Sequence, residues 1–278
     1  MPLGLFGKII HGIELNKEIL QSKSLLIATP MYKGDCTGVY TASLIKLTCT
    51  LTQHEIPFEY TYIDGDALVP RARNRISIDM LNSKHTDVIM LDADIGFEAG
   101  DIILMLALNK PMVAAHYPRK TINFEKLRRA ALAGKSAQEL KLIASSDFVV
   151  NYFGTTFDPD LPTLVSEVGA GCLTFHRSVL EQMMYYYPDL KCRKKFDDPA
   201  YNGYYWDFFK CGKDESELYN PEDYAFCCRW RALGGSIYLC PWIQLAHRGT
   251  YEYKGSAKYA FLEGSKYNTE NKEEKQIA

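Results

Sequence analysis

Short apolar runs alternate with stretches of helical periodicity through the first 116 residues of this 278-residue chain. The apolar runs predict strands at 24–29, 58–63, 87–91 and 112–116. The intervening stretches predict helices at 39–53, 73–82 and 101–108. Such alternation is typical of a parallel sheet with helices on both faces. We therefore predict an α/β protein with a mostly parallel central sheet.

Polar residues follow each predicted strand, in segments 29–33, 64–66, 92–94 and 116–120. In open parallel sheets, ligands bind beyond the carboxyl ends of the strands. We expect these four segments to surround one crevice.

The second half of the chain is less regular. A charged helical stretch occupies 120–144, and the aromatic-rich segment 185–219 predicts a long ordered loop or two short helices. A helix is predicted at 222–233, closed by Gly234 and Gly235, and a strand follows at 236–240. We predict one domain over 1–252 and a polar, frayed tail over 253–278.

Composition narrows the possible classes of protein. The chain has 32 Lys and Arg against 34 Asp and Glu, whereas nucleic-acid-binding proteins usually carry a basic excess. No segment has the roughly 20 apolar residues that cross a bilayer. Eight dispersed cysteines without a CxxC pair are typical of a reducing compartment. We expect a cytoplasmic protein with no nucleic-acid partner and no transmembrane segment.

The N-terminal segment 1–24 lacks the continuous apolar core of a signal peptide, because charged and polar residues interrupt it. Its apolar residues recur at helical spacing and predict an amphipathic helix packed on the domain. The residues on the predicted apolar face are Leu5, Ile9, Ile10, Ile13 and Leu20.

Two carboxylates follow the third predicted strand directly. The strand 87–91 runs into Asp92-Ala93-Asp94, where side chains two residues apart can converge on one cation. Mg²⁺ and Mn²⁺ prefer oxygen ligands and bridge to phosphate oxygens. The pair alone also fits a solvated turn. The apolar strand before it and the helix after it favour a site for Mn²⁺ or Mg²⁺.

Seven motifs follow one another along residues 24–250: SLLIATPMY, YIDGD, ARN, LDADI, VGAGCLTFHRSVL, PEDYAFCCRWRALGG and a late histidine. Their order resembles the family 2-like glycosyltransferases of the GT-A fold. The portion from ARN to LDADI also resembles the Anp1-type mannosyltransferases, a separate GT-A group. The resemblance implies metal-dependent transfer of a sugar from a UDP- or GDP-sugar to a hydroxyl of a glycan or other acceptor. The strand–helix alternation up to about residue 120 and the aromatic irregularity after it predict a nucleotide-sugar half over about 24–120 and an acceptor half over about 121–252.

The resemblance further implies roles for individual residues. The donor-binding residues would be Thr29, Pro30 and Tyr32 around the base and ribose, Asp64 at the base, and Arg73 and Asn74 near the diphosphate or donor sugar. Asp92 would contact the ribose or the metal, and Asp94 would be the principal metal ligand. The late histidine, His247, would complete the metal site; by itself it also fits a structural or surface histidine.

Glu222 and Asp223 open the helix predicted at 222–233, where the resemblance places the catalytic base. Free N–H groups and the helix dipole favour a charged carboxylate there, and a simple acidic cap fits equally well. We assign Asp223 as the base that deprotonates the acceptor hydroxyl, and Glu222 as the cap or an acceptor contact. This assignment predicts an inverting reaction.

Three further features have both a functional and a structural interpretation. The basic turn 116–120 would offset diphosphate charge or be a solvated loop. Gly169 and Gly171 would admit a substrate close to the backbone or form a tight turn. An aromatic cluster would be an acceptor platform or a packed loop core; it comprises Tyr201, Tyr204, Tyr205, Trp206, Phe208 and Phe209.

Alternative functions stay open at this point. The Anp1-type likeness would allow a retaining GT-A transferase. A sugar nucleotidyltransferase would also bind a nucleotide and a metal, although the loop 30–38 lacks the glycine run typical of that class. A non-catalytic glycan-binding protein could keep the same fold.

Overall fold

The structure is a computed structural model, and it describes residues 6–154, 156–193, 204–213 and 217–251. Residues 1–248 form one compact unit and residues 249–278 a second, of which 249–251 are described. The helices are α1 (Lys17–Gln21), α2 (Gly38–Gln53), α3 (Val69–Asn82), α4 (Ala99–Ala107), α5 (Phe124–Leu132), α6 (Ala137–Ala144), α7 (Arg177–Tyr186) and α8 (Glu222–Ala232). None of these described helices is long and apolar enough to cross a membrane.

The strands are short, and half of those described belong to one central sheet. In chain order they are β1 (Ile9–Ile10), β2 (Ile13–Glu14), β3 (Leu25–Met31), β4 (Phe58–Asp64), β5 (Asp87–Leu91), β6 (Ile95–Gly96), β7 (Met112–Ala114), β8 (Val150–Tyr152), β9 (Thr163–Val168), β10 (Cys172–His176), β11 (Lys191–Arg193), β12 (Tyr204–Trp206), β13 (Gly212–Lys213), β14 (Tyr219–Asn220), β15 (Ile237–Leu239) and β16 (Ala246–His247).

The central sheet has eight strands in the order β4-β3-β5-β10-β7-β15-β9-β8. β4, β3 and β5 pair in parallel, as do β7 and β15. β10 and β9 run antiparallel to both of their neighbours. Six of the eight strands therefore run in one direction, which confirms the α/β class with a mostly parallel sheet.

The sheet is buried on both faces. Alternate residues of β3 enter different apolar cores, with Leu25 and Ile27 in one and Leu26 and Ala28 in the other. Every residue of β5 is buried, which explains its continuous apolar sequence. The helices predicted in the first half are confirmed, and each begins within four residues of its expected start.

The prediction of an amphipathic N-terminal helix is wrong for the described residues. β1 and β2 form an antiparallel hairpin in which Ile10 faces Ile13. Its two turn residues, His11 and Gly12, have φ angles of 51° and 72°. Positive φ at both central positions is the geometry that joins two strands tightly and that a helix cannot contain. Only the short helix α1 follows.

The segment 185–219 also differs from its prediction. Instead of a long loop or two short helices, the described part contains one short 3₁₀ helix (Pro188–Leu190) and the paired strands β11–β12 and β13–β14. Tyr201 lies outside the described residues. Phe208 and Phe209 are fully buried, and the Phe209 ring stacks on Phe226 at 4.3 Å. These two rings therefore belong to the core and cannot serve as an exposed acceptor platform.

Candidate active site

The carboxyl ends of β3, β4, β5 and β7 lie at one edge of the sheet, because these strands run in the same direction. Backbone hydrogen bonds join the loops beyond them. Gly65 N–H donates to the Tyr32 carbonyl at 3.0 Å, and Thr37 N–H donates to the Ala93 carbonyl at 2.9 Å. The polar segments that follow the predicted strands are thus assembled at this edge.

Asp94 lies between two cationic or potentially cationic side chains. Lys120, in the basic turn after β7, forms a short ion pair with it. The Nε2 atom of His247 is 3.4 Å from Asp94 Oδ1. Partial burial alone would raise the pKa of Asp94, but its contacts with His247 and with the Lys120 cation outweigh burial and lower that pKa to about 2. Asp94 is therefore a carboxylate throughout the physiological range.

The orientation of His247 is fixed from its other side. Its Nδ1 atom is 2.7 Å from the Pro118 carbonyl, which can only accept, so Nδ1 carries a proton. In the neutral ring, Nε2 then presents its lone pair towards Asp94. Two electron-pair donors facing each other need a shared proton or a cation between them. Metal-binding histidines are commonly held by a backbone carbonyl in this way.

Asp92 points to a different partner from Asp94. Its Oδ1 atom accepts a hydrogen bond from Arg73 Nη2 at 3.1 Å, and its backbone N–H donates to the Gly171 carbonyl at 3.0 Å. The structure therefore separates the two carboxylates. Among the described residues, no group of three or more His, Cys, Asp or Glu side chains is gathered in a metal-binding arrangement.

Arg73 is a buried cation with spare hydrogen-bonding capacity. The residue is 3% exposed, and its Nε and Nη1 atoms have no hydrogen-bond partner. Glu222 Oε1 is 3.9 Å from Nε, which is an ion pair beyond hydrogen-bond length. A buried guanidinium usually has its donors satisfied. The N–H groups on these two buried atoms are therefore unsatisfied by the described residues and would gain partners from an anionic or hydroxyl-bearing ligand.

Asp223 is buried beside the same guanidinium. It is 8% exposed, and its Oδ1 accepts a hydrogen bond from the Tyr224 N–H at 2.8 Å. Burial raises the pKa of Asp223, and the Arg73 charge offsets only part of that effect. Desolvation thus outweighs the helix N-terminus, which by itself would favour the charged form. A carboxyl group of this kind has greater proton affinity than an exposed aspartate.

Gly169 and Gly171 are packed against Tyr117. A Cβ on Gly169 would lie 2.2 Å from the Tyr117 hydroxyl oxygen, and one on Gly171 would lie 2.7 Å from Ile95 and Tyr117 and 2.9 Å from Asp92. The close approach that these glycines permit is therefore to the protein's own tyrosine. Tyr117 also contacts His247 edge-on, with ring centroids 5.1 Å apart. The sequence singled out the basic turn 116–120 but not this supporting role of Tyr117.

The other donor-site candidates occupy varied environments. Thr29 is fully buried and hydrogen-bonded to Tyr40, whereas Tyr32 is 59% exposed at the end of β3. Pro30 is half-buried, and Asp64 is exposed at the end of β4, opposite Met31. Tyr32 and Asp64 are thus open to solvent at the edge where a ligand is expected.

Asn74 is engaged in holding the segment 205–209. Its Nδ2 atom donates to Asp207 at 2.6 Å and to the Tyr205 hydroxyl at 3.1 Å, while its Oδ1 accepts from Phe209 N–H at 2.8 Å. The residue is fully buried. Both polar atoms of the Asn74 side chain therefore have hydrogen-bond partners within the protein, in the absence of a donor sugar.

No protein-family profile and no curated protein sequence matches the chain. Similar solved structures include A197 from STIV, with 14% identity, 82% of this chain and 86% of that chain covered and a TM-score of 0.42. GalNAc-T7, crystallised with UDP, GalNAc and Mn²⁺, matches at 11% identity over 84% of this chain and 46% of its own, with a TM-score of 0.42. A glycosyltransferase involved in glycosylation of the major capsid of PBCV-1 matches at 10% identity over 58% of this chain and 64% of its own, with a TM-score of 0.30. The structural neighbours thus include glycosyltransferases, and this chain spans less than half of the GalNAc-T7 chain.

Proposed function

We propose that the protein is a metal-dependent glycosyltransferase that uses a nucleotide-diphosphate sugar. The observation that carries this proposal is the pair formed by Asp94 Oδ1 and His247 Nε2, 3.4 Å apart, with the histidine proton held on Nδ1. Both atoms are electron-pair donors at the carboxyl edge of the sheet. A carboxylate, completed by phosphate oxygens and water, suits either Mn²⁺ or Mg²⁺, and the additional imidazole nitrogen favours Mn²⁺ over the harder Mg²⁺.

In this proposal Asp94 and His247 hold the metal, and the Pro118 carbonyl keeps His247 in the required tautomer. A divalent cation bound there supplies positive charge opposite the diphosphate leaving group. Lys120 provides a second positive charge at the same edge, since it pairs with Asp94 and is 43% exposed. Asp92 would act on the donor through Arg73, which it holds in place, and not as a metal ligand.

Arg73 is proposed to bind the diphosphate or the donor sugar through its free Nε and Nη1 atoms. Asp92 and Glu222 hold the guanidinium in place before any ligand arrives, so little reorganisation accompanies binding. A cation in a desolvated pocket interacts more strongly with developing negative charge than one in water. Tyr32 and Asp64 would form the side nearest the base. The fully buried Thr29 and the half-buried Pro30 lie in β3 and precede Tyr32.

Asp223 is proposed as the general base. It accepts the proton of the acceptor hydroxyl while that oxygen bonds to the anomeric carbon and the bond from this carbon to the diphosphate oxygen breaks. The sugar configuration inverts, and the proton ends on the carboxyl of Asp223. The raised pKa of Asp223 suits this task because it increases the proton affinity of the base.

The products of the reaction test the proposal. The protein is incubated with UDP- and GDP-sugars, Mn²⁺ and a mixture of glycan acceptors, and released nucleoside diphosphate is measured. It is incubated in parallel with nucleoside triphosphates and sugar 1-phosphates, and pyrophosphate is measured. We expect release of nucleoside diphosphate from the nucleotide sugars, no pyrophosphate from the triphosphates, and loss of the nucleoside diphosphate signal in EDTA. Pyrophosphate formation would instead identify a sugar nucleotidyltransferase, and binding without either product would indicate a glycan-binding protein.

A further inference from the structure

Helices α5 and α6 form an exposed hairpin, which we define as residues 119–144. None of the described residues of α5 is buried. Phe124, Arg128 and Leu132 are spaced four apart, so they share one face of the helix. Phe124 is 62% exposed, Leu132 is 77% exposed, and the Arg128 side chain is 64% exposed. This face carries two large apolar side chains on either side of a guanidinium.

The hairpin is nevertheless a well-formed element. Asn123 caps α5 by accepting a hydrogen bond from the Lys126 N–H, and Ser136 and Glu139 form a reciprocal capping box at α6. Lys126 also anchors the hairpin through an ion pair with Asp147 at 2.5 Å. Because the helices are capped and anchored, the exposed apolar face is a fixed surface feature. Such a surface commonly marks an interaction site.

The hairpin is basic, while the rest of the protein is acidic. The hairpin, residues 119–144, contains seven Lys and Arg and two Glu, which gives a charge of +5. The whole chain carries −2, so the remaining residues together carry −7. This segregation directs the hairpin towards a negatively charged surface.

Helix α6 of the hairpin also lines a cavity. Leu142 and Ile143 of α6 line a cavity of about 970 Å³, together with Phe157 and Trp242. His247, at the edge of the candidate active site, borders the same cavity. The cavity therefore extends from α6 to the edge of the candidate active site.

We propose that the α5–α6 hairpin docks on the surface of an anionic lipid bilayer. Phe124 and Leu132 would enter the boundary between headgroups and acyl chains, while Arg128 and Arg129 contact lipid phosphates. Interleaved apolar and basic side chains on one short amphipathic helix favour a lipid surface over a nucleic acid, which offers no apolar layer for them. The inference is independent of the proposed chemistry.

Vesicle flotation with the full chain tests this proposal. The protein is mixed with phosphatidylcholine vesicles or with vesicles that also contain phosphatidylserine, at low and at high salt. We expect flotation with the anionic vesicles, reduced by salt, and little with the neutral ones. Equal flotation with both vesicles, or none with either, overturns the proposal and leaves the face to another kind of partner.

Two paired variants locate the contact. Phe124→Ser with Leu132→Ser removes the apolar contribution. Arg128→Gln with Arg129→Gln removes two positive charges and also leaves the carboxylate of Glu125, their ion-pair partner, uncompensated. Each pair should weaken binding by about tenfold or more, given the contribution of each buried apolar or basic side chain. The matched control is Ile45→Ser with Lys46→Gln on α2, where both side chains are also exposed. If the control loses as much binding as the hairpin variants, or the hairpin variants keep theirs, the proposed contact is wrong.

Discussion

At the scale of single residues, Asp92 and Asp94 are close in sequence but differ in how readily their partners can be replaced. Arg73, which binds Asp92, is a buried guanidinium with 3% exposure. Lys120, which binds Asp94, has a side chain that is 43% exposed and can move into solvent. In the proposed site a metal ion would replace Lys120 at low cost, whereas separating Arg73 from Asp92 would leave a buried charge unpaired.

This difference predicts unequal effects of two matched variants on metal-dependent nucleotide binding. Asp94→Asn should lower UDP or GDP affinity in Mn²⁺ by about 100-fold or more, since even outer-shell partners of a metal contribute 10–100-fold. Asp92→Asn should keep a stimulation by Mn²⁺ while weakening binding through Arg73. Calorimetric titrations with Mn²⁺ and with EDTA measure both. If Asp94→Asn binds nucleotide in Mn²⁺ as tightly as the unaltered protein, Asp94 is not a metal ligand.

A second prediction at this scale concerns Asp223. Asp223→Asn keeps the shape of the side chain but removes its basicity, so kcat should fall by ~10²–10⁴ with donor Kd nearly unchanged. Glu222→Gln should reduce turnover less, because Glu222 is proposed to help hold Arg73, 3.9 Å away, and not to accept the proton. The measurements are kcat and donor Kd for both variants. Turnover lost in Glu222→Gln but kept in Asp223→Asn would reverse the roles, and loss in neither would favour a retaining reaction.

The pH dependence of the same reaction follows from the raised pKa of Asp223. A base must be unprotonated, so kcat/KM should rise with pH and level off above that pKa. The midpoint should lie above the value of about 3.9 for an unperturbed aspartate. In Asp223→Asn the residual activity should lack this acidic limb. A limb that persists unchanged in the variant would have to come from another group.

At the scale of elements, the insertion of β10 between β5 and β7 builds the site. This antiparallel strand sets Cys172 opposite Leu91, which places the preceding Gly171 beside Asp92. The turn before β10 is in turn packed by Tyr117. The position of Asp92 therefore depends on a turn more than 70 residues later in the chain, so the turn is part of the site's framework.

Adding a single methyl group to that turn should disturb both fold and site. Gly171→Ala would place a carbon 2.7 Å from Ile95 and Tyr117 and 2.9 Å from an Asp92 oxygen. We expect a loss of about 1–3 kcal/mol in the free energy of unfolding, typical of overpacking, and weaker nucleotide binding. The control Gly38→Ala, where no atom lies within 4 Å, should change neither by much. Urea denaturation of both variants measures the difference, and equal stability would show that the turn can relax.

At the scale of the whole molecule, the two halves of the unit 1–248 share one sheet. β10, from the second half, separates β5 and β7, which both come from the first 120 residues. Neither half can therefore complete the sheet alone. The proposed nucleotide and acceptor halves therefore lie within one shared sheet.

This shared sheet predicts a single unfolding transition. All three tryptophans, Trp206, Trp230 and Trp242, lie in the second half, whereas α2, α3 and α4 lie in the first. Urea midpoints from tryptophan fluorescence and from far-ultraviolet circular dichroism should therefore coincide. Two separated midpoints would indicate that the halves fold independently.

The sequence by itself determined the α/β class and most elements of the first half. Buried strands such as β5 read as continuous apolar runs, and the helices between them have a regular apolar period. It also indicated where polar residues gather, because parallel strands place their carboxyl ends at one edge. These are local signals, and they do not depend on which distant residues each segment contacts in the fold. The N-terminal hairpin was missed because isoleucines spaced around His11 and Gly12 fit a helix as well as two strands until φ is known.

Only the tertiary structure decided what each carboxylate contacts. The separation of Asp92 from Asp94, the tautomer of His247 and the occupation of the glycine turn by Tyr117 all come from contacts between residues far apart in sequence. Side-chain orientation at the end of a strand depends on packing against elements such as β10, and no local pattern encodes that register. The burial that raises the pKa of Asp223 is likewise a property of the assembled core. The chemistry at the edge of the sheet is therefore set by long-range packing, whereas the position of that edge is set by local periodicity.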